Sequence, residues 1–436
     1  MTETDEAPFS LRSIALPAFG PAIMFGAAEG AVLPVVALTA LHLGASVAAA
    51  SVVYALIGIG SLVSNIPSAM ITQRLGERFA IVLASGVSAS AMLVAMLAPD
   101  VAVLAVAMLL IGFANAVFSL ARQSFLTENV PVRWRARALS SLGGSARVGV
   151  FIGPFLAAAA IHQWGIRAAY AVGLVAALTA GGIGLFSADL VSTVRSTEVE
   201  PETTTIRAVL RSHRRLFLTI GIGVILISAV RASRQVVLPL WAEHIGLSPT
   251  ANSLIYGVAG AVDMAVFYPA GKVMDRKGRL WVVLPSMLLL GASLMLVPLC
   301  HHVGWLLVLA LLLGFGNGIG SGMVMTLGAD YAPAHARPAF LGIWRFLSDL
   351  GSCGGPLLLS VITGAATLAA GVVSNGGIGF VAATLLAYFV PRTPIVTGRA
   401  AADPSSGSGV GLPARASAGR DGPAGVSDDP AEAVPR

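Results

Sequence analysis

Apolar residues run along this chain in long unbroken stretches, and the charges gather in the short gaps between them. A helix crossing the hydrocarbon core of a bilayer needs about 20 apolar residues. A membrane β-barrel would instead show short strands of alternating polarity. Cutting the sequence at charges and turn signals predicts twelve helical spans, over Ile14–Leu41, Val47–Ile71, Phe79–Ala98, Val101–Leu120, Leu139–Ile161, Ala168–Ala188, Leu216–Trp241, Ala251–Val273, Leu280–Leu299, Gly304–Leu327, Ala339–Thr363 and Leu368–Val390. The chain reads as an all-α membrane protein.

Composition narrows the class. Charged residues make up 11% of the 436 positions and hydrophobic residues 56%, whereas a soluble domain carries about 25% charge. So few charges could not cover the surface of a soluble protein of this length. That excludes an ordinary cytosolic enzyme, a disordered chain and a nucleic-acid binder, and the net charge of +6 is spread between apolar segments with no basic face. The lipid bilayer is the expected partner. Cys300 and Cys353 lie in or beside apolar stretches and give no disulfide framework. Glu3, Asp5 and Glu6 deny the first ten residues the positive start of a signal peptide.

Lys and Arg favour cytoplasmic loops. Alternate loops carry Arg74 and Arg78; Arg133, Arg135 and Arg137; Arg195, Arg207, Arg211, Arg214 and Arg215; and Lys272, Arg276, Lys277 and Arg279, while the opposite set carries Arg167. This bias predicts both termini inside, in the plasma membrane. Trp164, Trp241 and Trp305 fall at outer ends, and Trp134, Trp281 and Trp344 at or near inner ends, as interfacial belts do. The expected organisation is a cytoplasmic segment at 1–13, a six-helix bundle at 14–188, a cytoplasmic linker at 189–215, a second six-helix bundle at 216–391, and a Gly-, Ala-, Ser- and Pro-rich disordered tail at 392–436.

The two halves match each other. Placing Leu109–Pro154 on Leu311–Pro356 without a gap gives 12 identities in 46 positions, among them Gly112/Gly314, Asn115/Asn317, Arg135/Arg337, Gly149/Gly351 and Pro154/Pro356. The same offset pairs His42 with His244, Tyr54 with Tyr256, Pro67 with Pro269 and Gly76 with Gly278. Shared composition would not hold one offset from His42 to Pro356. The chain therefore reads as two pseudo-symmetric six-helix bundles in parallel repeat, an arrangement that puts a binding site near the midplane and permits rocking.

The loop after the eighth span reads Gly271-Lys272-Val273-Met274-Asp275-Arg276-Lys277-Gly278-Arg279. With the repeat, this resembles the major facilitator superfamily over roughly residues 14 to 390, matching every fixed position of its inner-loop motif. Gly271 would let helices approach closely, Asp275 would face a helix N-terminus, and Arg276 and Arg279 would pair with acids at helix ends, Asp330 among them. Such a lock would hold the inner side closed. The first copy keeps Arg74, Gly76 and Arg78, but Ala69, Gln73 and Glu77 replace the Gly, Asp and final Arg, so the lock is expected mainly in the second half. The fifth span reads Gly149-Val150-Phe151-Ile152-Gly153-Pro154 and is similar to the antiporter motif of the twelve-span drug or metabolite:proton efflux group, with Ala157 in place of its last Gly. Gly149 and Gly153 make a flat packing face, Pro154 kinks the helix, and the span is expected to seal against the eighth. Where efflux members often carry an Arg in the fourth span, this chain has Met108. The resemblance implies that spans one, four, seven and ten line a cavity.

Seven charges fall inside the predicted spans: Glu29, Arg147, Arg231, Arg234, Asp263, Arg345 and Asp349. Each costs at least about 2.5–3.5 kcal/mol at the bilayer centre, so each needs a partner or water. Glu29 is the first candidate for a proton carrier or a contact to cationic substrate, or else a structural acid; Asp263 and Asp349 are further proton-coupling candidates. Arg231 and Arg234 share a face with Gln235 and either bind an anionic substrate or neutralise Glu29. Arg147 and Asp263 are expected to pair across the halves, and Arg345 with Asp349 along one helix. Asn115 and Asn317 contact substrate or a neighbouring helix. No His, Cys or acidic set has metal-ligand or catalytic spacing, and no phosphate loop is present, so neither an enzyme, a metal site, a cofactor nor an ATP-driven pump is expected. The reading is a monomeric secondary active transporter exporting small amphipathic molecules by alternating access, coupled to protons; the alternative is an organic-anion or metabolite carrier with Arg231 and Arg234 as ligands.

Overall fold

The computed structural model describes residues 15–130, 132–186, 206–333 and 336–394. The expected segment at 1–13, all of the expected 392–436 tail beyond residue 394, most of the linker, and the side chains of Arg133, Trp134, Arg135 and Arg137 lie outside what is described. Among the described residues, twelve helical segments are long and apolar enough to cross a membrane: Phe19–His42, Val47–Leu75, Glu77–Leu97, Val101–Thr127, Ser141–Trp164, Ala168–Phe186, Arg214–His244, Pro249–Lys277, Leu280–Leu299, Val303–Tyr331, Ala339–Ala365 and Leu368–Arg392. They are spans 1 to 12 below. In lipid every backbone polar group must be satisfied internally, which is why the chain is helical throughout these stretches.

The repeat offset reappears in three dimensions. In the first half, span 1 packs on spans 5 and 6, span 2 on span 4, and span 3 on spans 4 and 6; in the second, span 7 packs on 11 and 12, span 8 on 10, and span 9 on 10 and 12. Ser46 caps span 2 by accepting from Ala49 N, and Ser248 caps span 8 by accepting from Ala251 N, each 202 residues apart from its counterpart. Spans 2 and 8 both end on a glycine of positive φ, Gly76 (φ 78°) and Gly278 (φ 96°), a backbone conformation that other residues adopt at a cost.

Small residues hold the helices together. A Cβ on Gly149 would lie 2.6 Å from Ala27 N and closer still to Ile23 O, and one on Gly153 would meet Ala27 O and Ala31 N. The repeat-related Gly351 and Gly355 sit against Ile225 O and Ala229 O, at the same offset. The glycine face of span 5 therefore packs against span 1, within its own half, and not against span 8. Span 5 meets span 8 with another face, where Phe155 covers Gly257. Gly271, expected to mark a close approach, has no atom within 4 Å of a Cβ placed on it.

Two spans are interrupted beside the centre of the molecule. Span 1 breaks between Val32 and Val36, at Pro34, and span 10 breaks between Ile319 and Met323. Span 4 runs on to Thr127, seven residues past the apolar run, and carries Arg122 into the bundle. Arg122 is buried, and its guanidinium lies 5.1 Å from the Phe118 ring, which stacks on Phe25. Cys300 and Cys353 are both free and buried.

Candidate functional site

A cavity of about 660 Å³ lies between the two halves, its lining running from Leu33 and Tyr54 to Gly143 and Met325. That volume lies in the range of small-molecule sites. At the end marked by the Gly44 and Gly246 turns the halves are joined. Asn252 donates to Pro34 O at 2.8 Å, Ser360 donates to Ala48 O at 2.8 Å, His42 approaches Glu243 at 3.8 Å, and Tyr54 donates to Gln235 Oε1 at 2.7 Å. Toward the opposite end, which bears the basic loops, the described ties between halves stop at Asn65, whose amide donates to Asp349 at 2.9 Å, and at Arg147, which lies 4.3 Å from the Phe267 ring.

Six of the seven charges expected inside the membrane line this one cavity: Glu29, Arg147, Arg231, Arg234, Asp263 and Asp349. Asp263 is the hub. Its Oδ2 accepts from Asn317 Nδ2 at 2.6 Å and lies 3.9 Å from Arg234, and its Oδ1 lies 3.6 Å from Arg147, which reaches over from the other half and also donates to Ser321. Arg231 joins through Asn317, donating to Oδ1 at 2.8 Å, and to Gly320 O at 3.5 Å where span 10 is broken. Asn317 thus links an arginine to a carboxylate, while Asn115 lines the cavity and accepts from Ser119 at 3.3 Å. Two arginines approach the Asp263 carboxylate directly and a third reaches it through Asn317.

Glu29 is arranged differently. No side-chain hydrogen bond or ion pair joins its carboxyl group to any described residue, and Arg231 and Arg234 turn to Asn317 and Asp263 instead. It lines the cavity beside a narrow apolar crevice formed with Phe25, Met92 and Ile111. Asp349 takes Arg345 at 4.0 Å along span 11 as well as Asn65.

The basic-end loops form ties within each half. Arg279 holds Asp330 through two hydrogen bonds of 2.7 and 3.2 Å, and Asp275 at 3.4 Å, joining the start of span 9 to the end of span 10. Hydrogen bonding to Asp330 holds the Arg279 guanidinium above its ordinary value, against a smaller opposing effect of burial. Arg78 donates to the last carbonyls of span 6, at Gly184 and Leu185, where a cation is favoured. Asp275 is largely exposed. The sequence reading missed Arg122, because it ended span 4 at the first charge; the signal was Phe118, one helical turn before it.

A sequence model of the Major Facilitator Superfamily matches residues 19–356 and again 220–419. The chain belongs to the major facilitator superfamily. Among curated relatives of this major facilitator chain, the Multidrug resistance protein MdtH of Shigella boydii serotype 4 (strain Sb227) is 25% identical over 240 residues, covering 54% of this chain and 58% of that protein. MdtH of Shigella flexneri is 24% identical over 244 residues, with the same coverage. The alignment thus spans little more than half the length of these relatives. Two solved major facilitator folds superpose closely: a bacterial homologue of the human lysosomal transporter Spinster in an inward-facing, unoccupied conformation (TM-score 0.72, 14% identity, 87% of this chain and 96% of that one), and a peptide transporter POT variant in complex with alafosfalin (TM-score 0.71, 15% identity, 87% and 94%). At these identities they show the fold.

Proposed function

We propose that this major facilitator transporter exports small amphipathic molecules across the plasma membrane in exchange for protons, by alternating access. The observation that carries the reading is Glu29, a carboxylate in the interhalf cavity with no ion-pair partner among the described residues. An acid held by an arginine keeps its charge; an unpaired one in a poorly solvated cavity exchanges its proton readily. The relatives that bear the name multidrug resistance protein support export.

Direction follows from charge. The basic loops favour the cytoplasmic side, which puts both termini inside and makes the cavity open to the cytoplasm. Substrate enters from there and displaces the proton from Glu29; the halves then rock until the Pro34–Asn252 and Ala48–Ser360 contacts part. Asp263 and Asp349, both held by arginine, keep the halves in register. One chain encloses the whole cavity, so a monomer suffices.

The test uses purified protein in liposomes with an imposed pH gradient and a fluorescent amphipathic dye. Wild type moves dye against the gradient of protons, and Glu29→Gln loses at least tenfold of this pH-driven flux. Undiminished pH-driven flux in Glu29→Gln overturns the assignment.

A further inference from the structure

The cavity is chemically lopsided. The first half contributes Glu29, unpaired. Across from it stand Arg231 and Arg234 of span 7, with Arg147 reaching in; the described contacts of this trio lead to Asp263, while Asp349, also in the lining, is taken by Arg345 and Asn65. Arg234 is buried, and its Nε finds no acceptor among the described residues. One wall therefore holds a carboxyl group with no cation paired to it among the described residues, and the other holds more guanidinium than carboxylate. Tyr54 and Tyr256 share the lining, and the Tyr54 hydroxyl donates to Gln235. Phe151 and Met264 offer apolar surface in the same cavity.

Each pole constrains the ligand. A compound with a cation alone would satisfy Glu29 and leave the arginine excess facing it. An anion alone would satisfy the arginines and meet the Glu29 carboxylate. Leaving a desolvated charge unmatched costs more than the matching interaction gains, so each singly charged ligand binds against a penalty that a doubly charged one avoids.

We infer that the substrate class is a dipolar amphiphile, with an ammonium group on Glu29, an acidic group between Arg231 and Arg234, and an aromatic or aliphatic body spanning the cavity between them. This rests on the proposed transport function and adds to it. The ammonium end competes with the proton for Glu29, which is what exchange requires. The acidic end draws Arg234 away from Asp263 and leaves that carboxylate to Arg147, so the tie between the halves tightens when the cavity is filled.

The test is equilibrium binding to the purified full chain in lipid nanodiscs with no pH gradient, using matched probes: norfloxacin as zwitterion, its methyl ester as cation and its piperazine N-acetyl derivative as anion, with phenylalanine, its methyl ester and N-acetylphenylalanine as a second series. The zwitterion is expected to bind at least tenfold more tightly than either partner in at least one series. Glu29→Gln brings the zwitterion down to the level of the anion, and Arg231→Gln brings it down to the level of the cation; Arg231→Lys restores part of the difference. The inference is overturned if a singly charged probe binds as tightly as the zwitterion, if neither zwitterion binds, or if Glu29→Gln weakens zwitterion and anion alike. The wild-type ranking stands as a test even where a variant does not fold. Binding discrimination without pH-driven flux would count against proton exchange and leave the substrate class standing.

Discussion

Adding one methyl group to span 5 tests the packing on which the fold rests. Gly149→Ala places a Cβ 2.6 Å from Ala27 N and nearer still to Ile23 O. Ordinary contact begins near 3.4 Å, so span 1 must retreat by nearly an ångström to clear Ala27 N alone and by more to clear Ile23 O. Its neighbours are main-chain atoms of a helix, and no rotamer change can relieve them. The reciprocal contacts would open with it, since Gly26 and Gly30 of span 1 lie equally close against Ala146 and Val150 of span 5. Overpacking typically costs about 1–3 kcal/mol, and a main-chain clash belongs at the top of that range. For a chain this long that is roughly 3–6 °C in the unfolding midpoint. Gly144→Ala supplies the control on the same helix, because no atom lies within 4 Å of its Cβ position; there alanine gains helix propensity of up to about 1 kcal/mol. The assay is thermal unfolding in detergent at one scan rate, followed by a thiol-reactive dye that reports exposure of Cys300 and Cys353, both 3% exposed when folded. Equal midpoints for Gly149→Ala and Gly144→Ala would refute the packing argument.

Other expectations can be checked with the same preparation. Asp263→Asn should destabilise more than Arg147→Gln, because Asp263 serves Arg147, Arg234 and Asn317 together, whereas Arg147→Gln leaves Asp263 with two partners; the reverse order of midpoints would sink the hub assignment. Asn252→Ala strips the buried Pro34 carbonyl of its donor, a loss of about 1–3 kcal/mol, and should raise deuterium uptake across residues 34–48; uptake equal to wild type would show that this contact does not hold the closed end. Arg279 is held above its ordinary value by Asp330, so its share of stability is complete below that value and is lost only as pH rises beyond it. The destabilisation by Asp330→Asn should therefore be the same at about pH 6 and pH 9, and a difference that shrinks across this window would disprove the sign.

Much of the fold was legible because lipid imposes a coarse rule. A spanning helix must be long and apolar, so hydropathy located all twelve spans, and the offset of 202 residues paired them. Helix ends were less legible, since a helix can continue past its apolar run when a neighbour covers the first charge. Arg122 is the case in point: Phe118 lies on its own helix one turn away, and the pair enters the bundle together. The direction of a glycine face was not legible either. Gly149 and Gly153 announce a flat stripe on span 5, but the stripe fits any close neighbour, and the three-dimensional order chose span 1 over span 8. Charges inside the membrane were easy to find and harder to pair. The Arg147–Asp263 approach could be anticipated from depth and opposite sign, while the bridging role of Asn317 depends on where span 10 bends.

The repeat also separates what the two halves share from what they do not. Shared positions are those whose partner is backbone: Gly112 on Ile57 and Gly314 on Ala259, or Gly149 on Ile23 and Gly351 on Ile225. A backbone carbonyl is present whatever the side chain, so such a contact survives as long as the glycine does. The cavity positions have parted company. Glu29 stands where the second half has Arg231, Arg147 where it has Asp349, and Ser61 where it has Asp263. A side chain facing a cavity is released from close packing, and its charge can change sign without disturbing the helices behind it. Two halves built alike suit the rocking of the proposed cycle, and opposite charges at equivalent positions are what the proposed dipolar substrate would lie along.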